Sequence, residues 1–375
     1  VKYYIIAGEP SGDLHASFLM KEIKNNDKDA DFRCWGGDLM EQNGGEIVKH
    51  YKELAFMGFV EVLLNLKTIL NNLVICKTDI LLYQPDVVIL VDYPGFNLKI
   101  AKFAKENNFK VVYYISPQIW AWKKSRVNLI KKYVDKMLTI LPFEKEFYAK
   151  YNYEVDYVGH PLLDEIEHTN GEENNFREQY SLSEKPIIAL LPGSRKQEIK
   201  KMLPLMLQVV DYFTDYQFII SGVTWQEISL YKNILKEKNI PILFDNDLLL
   251  RHASAALVTS GTATLETALY NVPQVVCYKG NIISYYIARW LIKDIQHISL
   301  VNIIADKEIV RELIQKELNL KNLQKELKKI TDDSEKIEQI QKDYLFLRKK
   351  LGGKGTSKRA ADIIKQFLST KSTNF

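Results

Sequence analysis

The sequence is poor in the residues that build metal centres and disulfide frameworks. Only three of its 375 residues are cysteine, Cys34, Cys76 and Cys277, scattered and odd in number. That usage excludes a disulfide scaffold and a cysteine-bound zinc site, and predicts reduced core cysteines in a cytosolic protein. The six histidines never fall at metal-ligand spacing; only His160, in Gly159-His160-Pro161, lies in a noteworthy turn. No apolar run approaches the roughly 20 residues that a bilayer-spanning helix needs, so membrane contact is expected to be peripheral. The chain enters a strand at once, without the pattern of a signal peptide. Charge of one sign is also scarce. The net charge is +4, and the basic residues of 316–329 alternate with acids, as on a solvated helix face rather than a nucleic-acid surface. Gly193-Ser194-Arg195 lacks the second glycine of a serine-nucleophile elbow. Gly352-Gly353-Lys354-Gly355 lacks the preceding strand of a phosphate loop. No repeat of solenoid period is evident.

What the sequence does contain is strand–helix alternation. Residues 3–7, 87–91, 111–115 and 136–141 are continuous β-branched and aliphatic runs, as in parallel strands buried on both faces. Helical patterns lie between them at 11–26 (Leu14, Phe18, Leu19 and Ile23 on one face), 97–107 and 126–134. The polar stretch 168–175 interrupts the periodicity, and strands restart at 187–191, 217–221, 242–244, 256–259 and 274–278. An α/β protein of two Rossmann-like, doubly wound domains facing a cleft is expected, with boundaries at 1–167, 168–345 and 346–375. The last helix, 356–368, carries a stripe of Ala360, Ile363, Ile364, Phe367 and Leu368. It is expected to pack back on the first domain or on a partner subunit.

Four strand ends carry the chemistry. Ala7-Gly8-Glu9-Pro10-Ser11-Gly12-Asp13 and Leu191-Pro192-Gly193-Ser194-Arg195 each follow a strand and open a helix, pointing backbone N–H groups and the helix dipole at the space above it. Ser194 and Gln197 fit a capping box. Arg195 reads either as a fork of charged donors for a diphosphate or as a surface arginine on a capped helix. Ser260-Gly261-Thr262 ends another strand, with Glu266 one turn inside the helix that follows. Glu266 reads as a ribose-binding carboxylate or as a solvated helix glutamate. Asp92, in Asp92-Tyr93-Pro94-Gly95-Phe96-Asn97, ends a very apolar strand. Desolvation there would raise its pKa, which suits a general base; the alternative is a helix N-cap, a task Asn97 could share.

Three segments mix apolar, aromatic and basic residues: 54–64 with Met57, Phe59, Val60 and Leu63; 116–126 with Trp120 and Trp122; and 282–293 with Trp290. Each reads as core or as part of a lipid-facing rim.

In order along nearly the whole chain, these blocks resemble the lipid-A-disaccharide synthase family, glycosyltransferases of GT-B architecture. They are Gly8-Glu9-Pro10-Ser11-Gly12-Asp13, Leu54-Ala55-Phe56-Met57-Gly58-Phe59-Val60-Glu61-Val62, Asp92-Tyr93-Pro94-Gly95-Phe96-Asn97 and Ser116-Pro117-Gln118-Ile119-Trp120-Ala121-Trp122. Leu141-Pro142-Phe143-Glu144-Lys145, Gly159-His160-Pro161, the Gly193 and Gly261 loops and Ser299-Leu300-Val301-Asn302 complete the set. The resemblance implies transfer of 2,3-diacylglucosamine from UDP-2,3-diacylglucosamine to 2,3-diacylglucosamine 1-phosphate, giving a β-1,6-linked disaccharide 1-phosphate and UDP. It implies Asp92 as base, with Asp13 as the alternative and Glu9 nearby. It implies UDP binding by Gly193, Ser194, Arg195, Ser260, Gly261, Thr262, Glu266 and Asn302. The family often has aspartate where this chain has Gly95, which leaves Asp92 the only carboxylate of its loop. No metal or other cofactor is expected. Peripheral attachment to the cytoplasmic face of an inner membrane is expected, and a homodimer is an open alternative. A soluble UDP-N-acetylglucosamine 2-epimerase, a lipid-linked peptidoglycan transferase and a non-catalytic nucleotide-sugar sensor are the competing readings.

Overall fold

The computed structural model describes residues 1–54, 66–119, 126–168, 176–280 and 297–370. They form two compact units, residues 1–164 with 353–375 and residues 165–352. The divisions lie at 164 and 352, where 167 and 345 were expected. The helix Ser334–Lys350 belongs wholly to the second unit because it buries Ile340, Tyr344 and Leu347, and Gln274 donates to the Tyr344 hydroxyl at 3.2 Å.

The first unit is a seven-stranded sheet in the order β3-β2-β1-β4-β5-β6-β7. Its strands are β1 (Lys2–Ala7), β2 (Asp31–Gly36), β3 (Gly45–His50), β4 (Val87–Val91), β5 (Lys110–Tyr114), β6 (Lys136–Thr139) and β7 (Asp156–Tyr157). All the pairings are parallel. Alternation along each strand sends side chains to two cores. Tyr4, Ile6, Val88, Leu90, Val111 and Tyr113 meet the helices Leu66–Tyr83, Pro94–Glu106 and Arg126–Tyr133 through Cys76, Ile80, Ile100, Ala104, Val127 and Ile130. Tyr3, Ile5, Ala7, Ile89, Val91 and Val112 meet the helix Pro10–Asn26 through Ala16, Leu19, Met20 and Ile23. Each fully buried Val, Leu, Ile or Met side chain among them contributes about 1.5–3 kcal/mol. The buried face of that first helix is thus rotated from the expected Leu14–Phe18 line, both of which are only partly covered. Ala360, Ala361 and Ile364 of the helix Thr356–Ser369 complete the second core, with Ile363, Phe367 and Leu368 at its margin. The stripe expected on this helix is therefore covered within the chain.

The second unit repeats the plan with six parallel strands in the order β10-β9-β8-β11-β12-β13. They are β8 (Ile187–Leu191), β9 (Gln217–Ser221), β10 (Ile242–Leu243), β11 (Ala253–Thr259), β12 (Gln274–Tyr278) and β13 (Glu312–Ile314). All three cysteines are free and buried. Among the described residues no helix is long and apolar enough to cross a membrane.

The returning helix is fixed at its start by Asp164. The Asp164 carboxylate accepts from the backbone N–H groups of Gly355 (2.7 Å), Thr356 (3.3 Å) and Ser357 (3.1 Å), donors that the helix itself cannot pair. Asp164→Ala is expected to destabilise the chain by about 0.5–2 kcal/mol, read as a lower urea midpoint at unchanged m-value.

Candidate active site

In the first unit the carboxyl ends of β1 and β4 lie side by side, Ala7 in register with Val91. The residues beyond them are held in an unusual way. Asp92 and Tyr93 have φ of +45° and +46°, consecutive left-handed conformations in non-glycine residues. Such a backbone costs on the order of 1–3 kcal/mol per residue and persists only when its surroundings impose it. Here they do. The Asp92 N–H donates to the Tyr114 carbonyl at 3.1 Å. The Asp92 carbonyl accepts from the Asn97 amide at 2.8 Å and from the Tyr113 hydroxyl. Asn97, fully buried, also donates to the Val91 carbonyl at 3.2 Å. The Tyr93 ring stacks on Phe96 at 5.7 Å and its hydroxyl reaches the Leu54 carbonyl at 3.3 Å. Gly8 makes this possible, since a Cβ there would stand 2.4 Å from the Tyr93 ring.

Neither Asp92 nor Asn97 caps the helix Pro94–Glu106; its N-cap is Tyr93. The Asp92 carboxyl is pushed up to about 7, first by burial and then by the negative charge of Glu9, against a smaller opposing effect of His15. Glu9 is the N-cap of the helix Pro10–Asn26 and lies half-buried beside this carboxyl. Asp13 is corrected. It is buried, and its oxygens accept from the backbone N–H groups of Gly37 (2.7 Å), Met40 (3.2 Å) and Leu39 (3.2 Å). It anchors the start of the helix Asp38–Gln42. A carboxyl not foreseen as functional lies close enough to act on Asp92. Glu144, fully buried beyond β6, accepts from the Ile140 and Leu141 N–H groups at 3.2 and 2.9 Å. Burial pushes it up to about 8, and the charge of Asp92 adds to that rise. The Leu141-Pro142-Phe143-Glu144 block at a strand end was the signal for it. His160 is buried and pushed down to about 3, so it stays neutral, its Nδ1 accepting from the Leu162 N–H at 3.3 Å.

In the second unit the loop after β8 holds Gly193 at φ +101°, and a Cβ there would meet the Glu198 carboxylate at 2.7 Å. The expected Ser194–Gln197 cap is shifted by one residue. Arg195 is the N-cap of the helix Lys196–Met206, and Glu198 accepts from its backbone N–H and from its guanidinium, both at 3.3 Å. The Arg195 side chain stays 64% exposed, held by this pair at the helix start.

The loop after β11 lies in the same sheet, next to β8. Ser260 donates its hydroxyl to the Ile298 carbonyl at 2.9 Å, and Gly261 is the N-cap of the helix Thr262–Leu269. Glu266 is pushed up to about 7, mainly by burial, while a hydrogen bond with Asn246 opposes the rise. Asn246 in turn accepts from Ser221 at the end of β9 (3.0 Å), which ties Glu266 to a third strand end. Asn302, expected beside UDP, is engaged within its own unit. It is fully buried and saturated: its amide donates to the Val310 carbonyl (2.8 Å) and to Glu312 (3.0 Å), and its oxygen accepts from the Ile309 (2.8 Å) and Val310 (3.1 Å) N–H groups. With Ser299 and Glu312 it supports the segment that receives Ser260, and has no atom left for a ligand. Met57, Phe59, Val60, Leu63, Trp120, Trp122 and Trp290 lie outside the described residues.

Two parallel-sheet units, each with strand-end loops opening into helices, define the GT-B class. Solved structures with this fold include a UDP-GlcNAc 2-epimerase from Neisseria meningitidis bound to UDP-GlcNAc (10% identity, TM-score 0.67, 98% of this chain and 99% of that one). The glycotransferase of kitacinnamycin is similar to the same degree (14% identity, TM-score 0.66, 98% and 99%). At such identities the likeness is one of fold. The sequence is more specific. The family model described as lipid-A-disaccharide synthetase matches residues 3–367. Lipid-A-disaccharide synthases of Syntrophus aciditrophicus and Geobacter sulfurreducens are 38% and 34% identical over 368 and 374 residues, covering 95% and 97% of this chain and 95% and 96% of theirs. The chain belongs to the lipid-A-disaccharide synthase family and is a glycosyltransferase of lipid A biosynthesis.

The raised carboxyls have a consequence for stability. Asp92 and Glu266 titrate near 7 and Glu144 near 8 in the folded chain, against about 4 when unfolded. The folded chain therefore holds more protons between those values, and stability falls as pH rises through 7 and 8. His160, neutral in the fold, acts oppositely, but only below about pH 6.5. Calorimetry should find a lower Tm at pH 8.5 than at 6.5, and Asp92→Asn should gain in Tm over the parent across that interval.

Proposed function

We propose that the chain transfers 2,3-diacylglucosamine from UDP-2,3-diacylglucosamine to the 6-hydroxyl of 2,3-diacylglucosamine 1-phosphate, releasing UDP and the β-1,6-linked disaccharide 1-phosphate. The observation that carries the assignment of roles is Asp92: a carboxyl raised to about 7 at the end of a central parallel strand, on a backbone held out of its ordinary conformation. A base poised near the working pH takes a hydroxyl proton most effectively. The donor is α-linked and the product β-linked, so one in-line displacement with inversion accounts for the stereochemistry. Asp92 accepts the acceptor proton as the new C–O bond forms at the anomeric carbon and the bond to UDP breaks. Glu9 keeps the Asp92 proton affinity high. The Gly193–Ser194 backbone, the helix beginning at Lys196 and the Arg195 guanidinium stabilise the charge gathering on the leaving diphosphate. Ser260, Gly261 and Thr262 border the nucleotide, and Glu266 accepts from the ribose hydroxyls, as acidic residues do in nucleotide folds. In this reading Asp13 and Asn302 hold the loops rather than the ligands.

Both substrates carry two acyl chains. We assign the segments around Met57, Phe59, Val60 and Leu63, around Trp120 and Trp122, and around Trp290 to peripheral membrane docking, with Lys123, Lys124, Arg126, Arg289 and Lys293 meeting anionic headgroups.

With both substrates in detergent and excess EDTA, the purified protein should form the disaccharide, and Asp92→Ala should lower kcat by about 10²–10⁴-fold. The parent kcat should rise with pH and level off above about 7, following the Asp92 titration. Equal turnover by both proteins would remove Asp92 from the base role, and a strict magnesium requirement would contradict the electrostatic account of UDP release. Changing Met57, Phe59 and Val60 together to serine should reduce partition into anionic vesicles; unchanged partition would refute the docking role.

A further inference from the structure

The loop proposed to grip the diphosphate is held from outside by two side chains on the segment following β9. Trp225 donates its indole N–H to the Ser194 carbonyl at 3.2 Å, and Gln226 donates its side-chain amide to the same oxygen at 3.4 Å. The other end of that peptide unit is held too, because the Arg195 N–H donates to Glu198 at 3.3 Å. A trans peptide is planar, with its C=O and N–H on opposite sides. Three hydrogen bonds on one plane therefore fix the direction in which the chain leaves Ser194 and in which Arg195 starts. Only Ser194 separates this plane from Gly193, whose φ of +101° makes it the most permissive joint of the loop. Trp225 is 58% exposed. Its ring also walls a cavity of about 370 Å³ shared with Lys196, Lys200 and Gln226. Phenylalanine would retain most of that wall while removing the N–H donor.

We propose that Trp225 and Gln226 are positioning residues for the diphosphate: through the Ser194 carbonyl they hold the Ser194–Arg195 peptide in the orientation that presents the loop and the Arg195 guanidinium to the ligand. The inference rests on the reading of this loop as the diphosphate grip. Two hydrogen bonds of ordinary net strength correspond to an effect of about tenfold.

The test is equilibrium titration of the full-length protein with UDP and with uridine, which lacks both phosphates. The proteins compared are the parent, Trp225→Phe combined with Gln226→Leu, and Arg195→Ala, each with its Tm recorded. The clamp predicts that the double variant loses about tenfold in UDP affinity while uridine affinity changes less than twofold. Equal weakening toward UDP and uridine would show a merely structural role and overturn the inference. UDP affinity unchanged in the double variant but reduced in Arg195→Ala would also overturn it and leave the diphosphate loop standing. UDP affinity unchanged in Arg195→Ala as well would overturn both.

Discussion

The backbone carbonyl of Asp92 is the point on which the chemistry of the first unit depends. Left to itself, the chain would relax two successive left-handed residues into the β or α region, turning the Asp92 side chain elsewhere. The buried Asn97 amide and the Tyr113 hydroxyl hold that carbonyl, and the Asp92 N–H continues the ladder to Tyr114. The strain is local, while its restraint is spread over a helix and a neighbouring strand. Gly8 yields the space that Tyr93 needs, so the loop after β1 and the loop after β4 form one unit of structure. The result is a partly covered carboxyl beside another carboxylate, raised to about 7.

The second unit solves a different problem with similar parts. There the groups proposed to meet the ligand are N–H donors and a guanidinium, so in that reading the chain must hold a loop open at a helix start instead of burying an acid. Gly193 bends it, Glu198 ties Arg195 to the helix, and the Ser194 carbonyl is held by side chains from the next strand end. Glu266 repeats the theme of a raised carboxyl, linked through Asn246 to Ser221. Asp92, Glu144 and Glu266 all oppose stability at higher pH, the sign expected of carboxyls raised by desolvation.

The central strands were legible because they are apolar on both sides: β1, β4, β8 and β12 carry unbroken runs such as Val87–Val91 and announce parallel sheets. The strands that escaped notice lie toward sheet edges. β2 carries Asp31 and Arg33, β3 carries Glu46 and Lys49, and β7 spans only Asp156–Tyr157, so partial solvation breaks the pattern. At the site, residue types and strand ends pointed to Asp92, Arg195 and Glu266. What a linear reading could not give was whether a polar side chain is already spent. Asp13 and Asn302 stand in the right motifs, yet each is occupied by backbone partners brought from elsewhere in the fold. Asn97 looked like a helix cap and is a tether, because its amide turns back to the Val91 and Asp92 carbonyls instead of accepting from a helix-start N–H. Trp225 and Gln226 belong to no motif, and their role follows only from the proximity of two strand ends.

The account stands most directly on the titration of one carboxyl. With carboxyl-¹³C aspartate incorporated throughout the chain, carbon NMR over pH 4–9 should show one aspartate resonance with a midpoint near 7, absent from the spectrum of Asp92→Asn. If every aspartate of the folded parent titrates below about 5, in the ordinary carboxylate range, then Asp92 is not raised as described and the base role proposed for it fails.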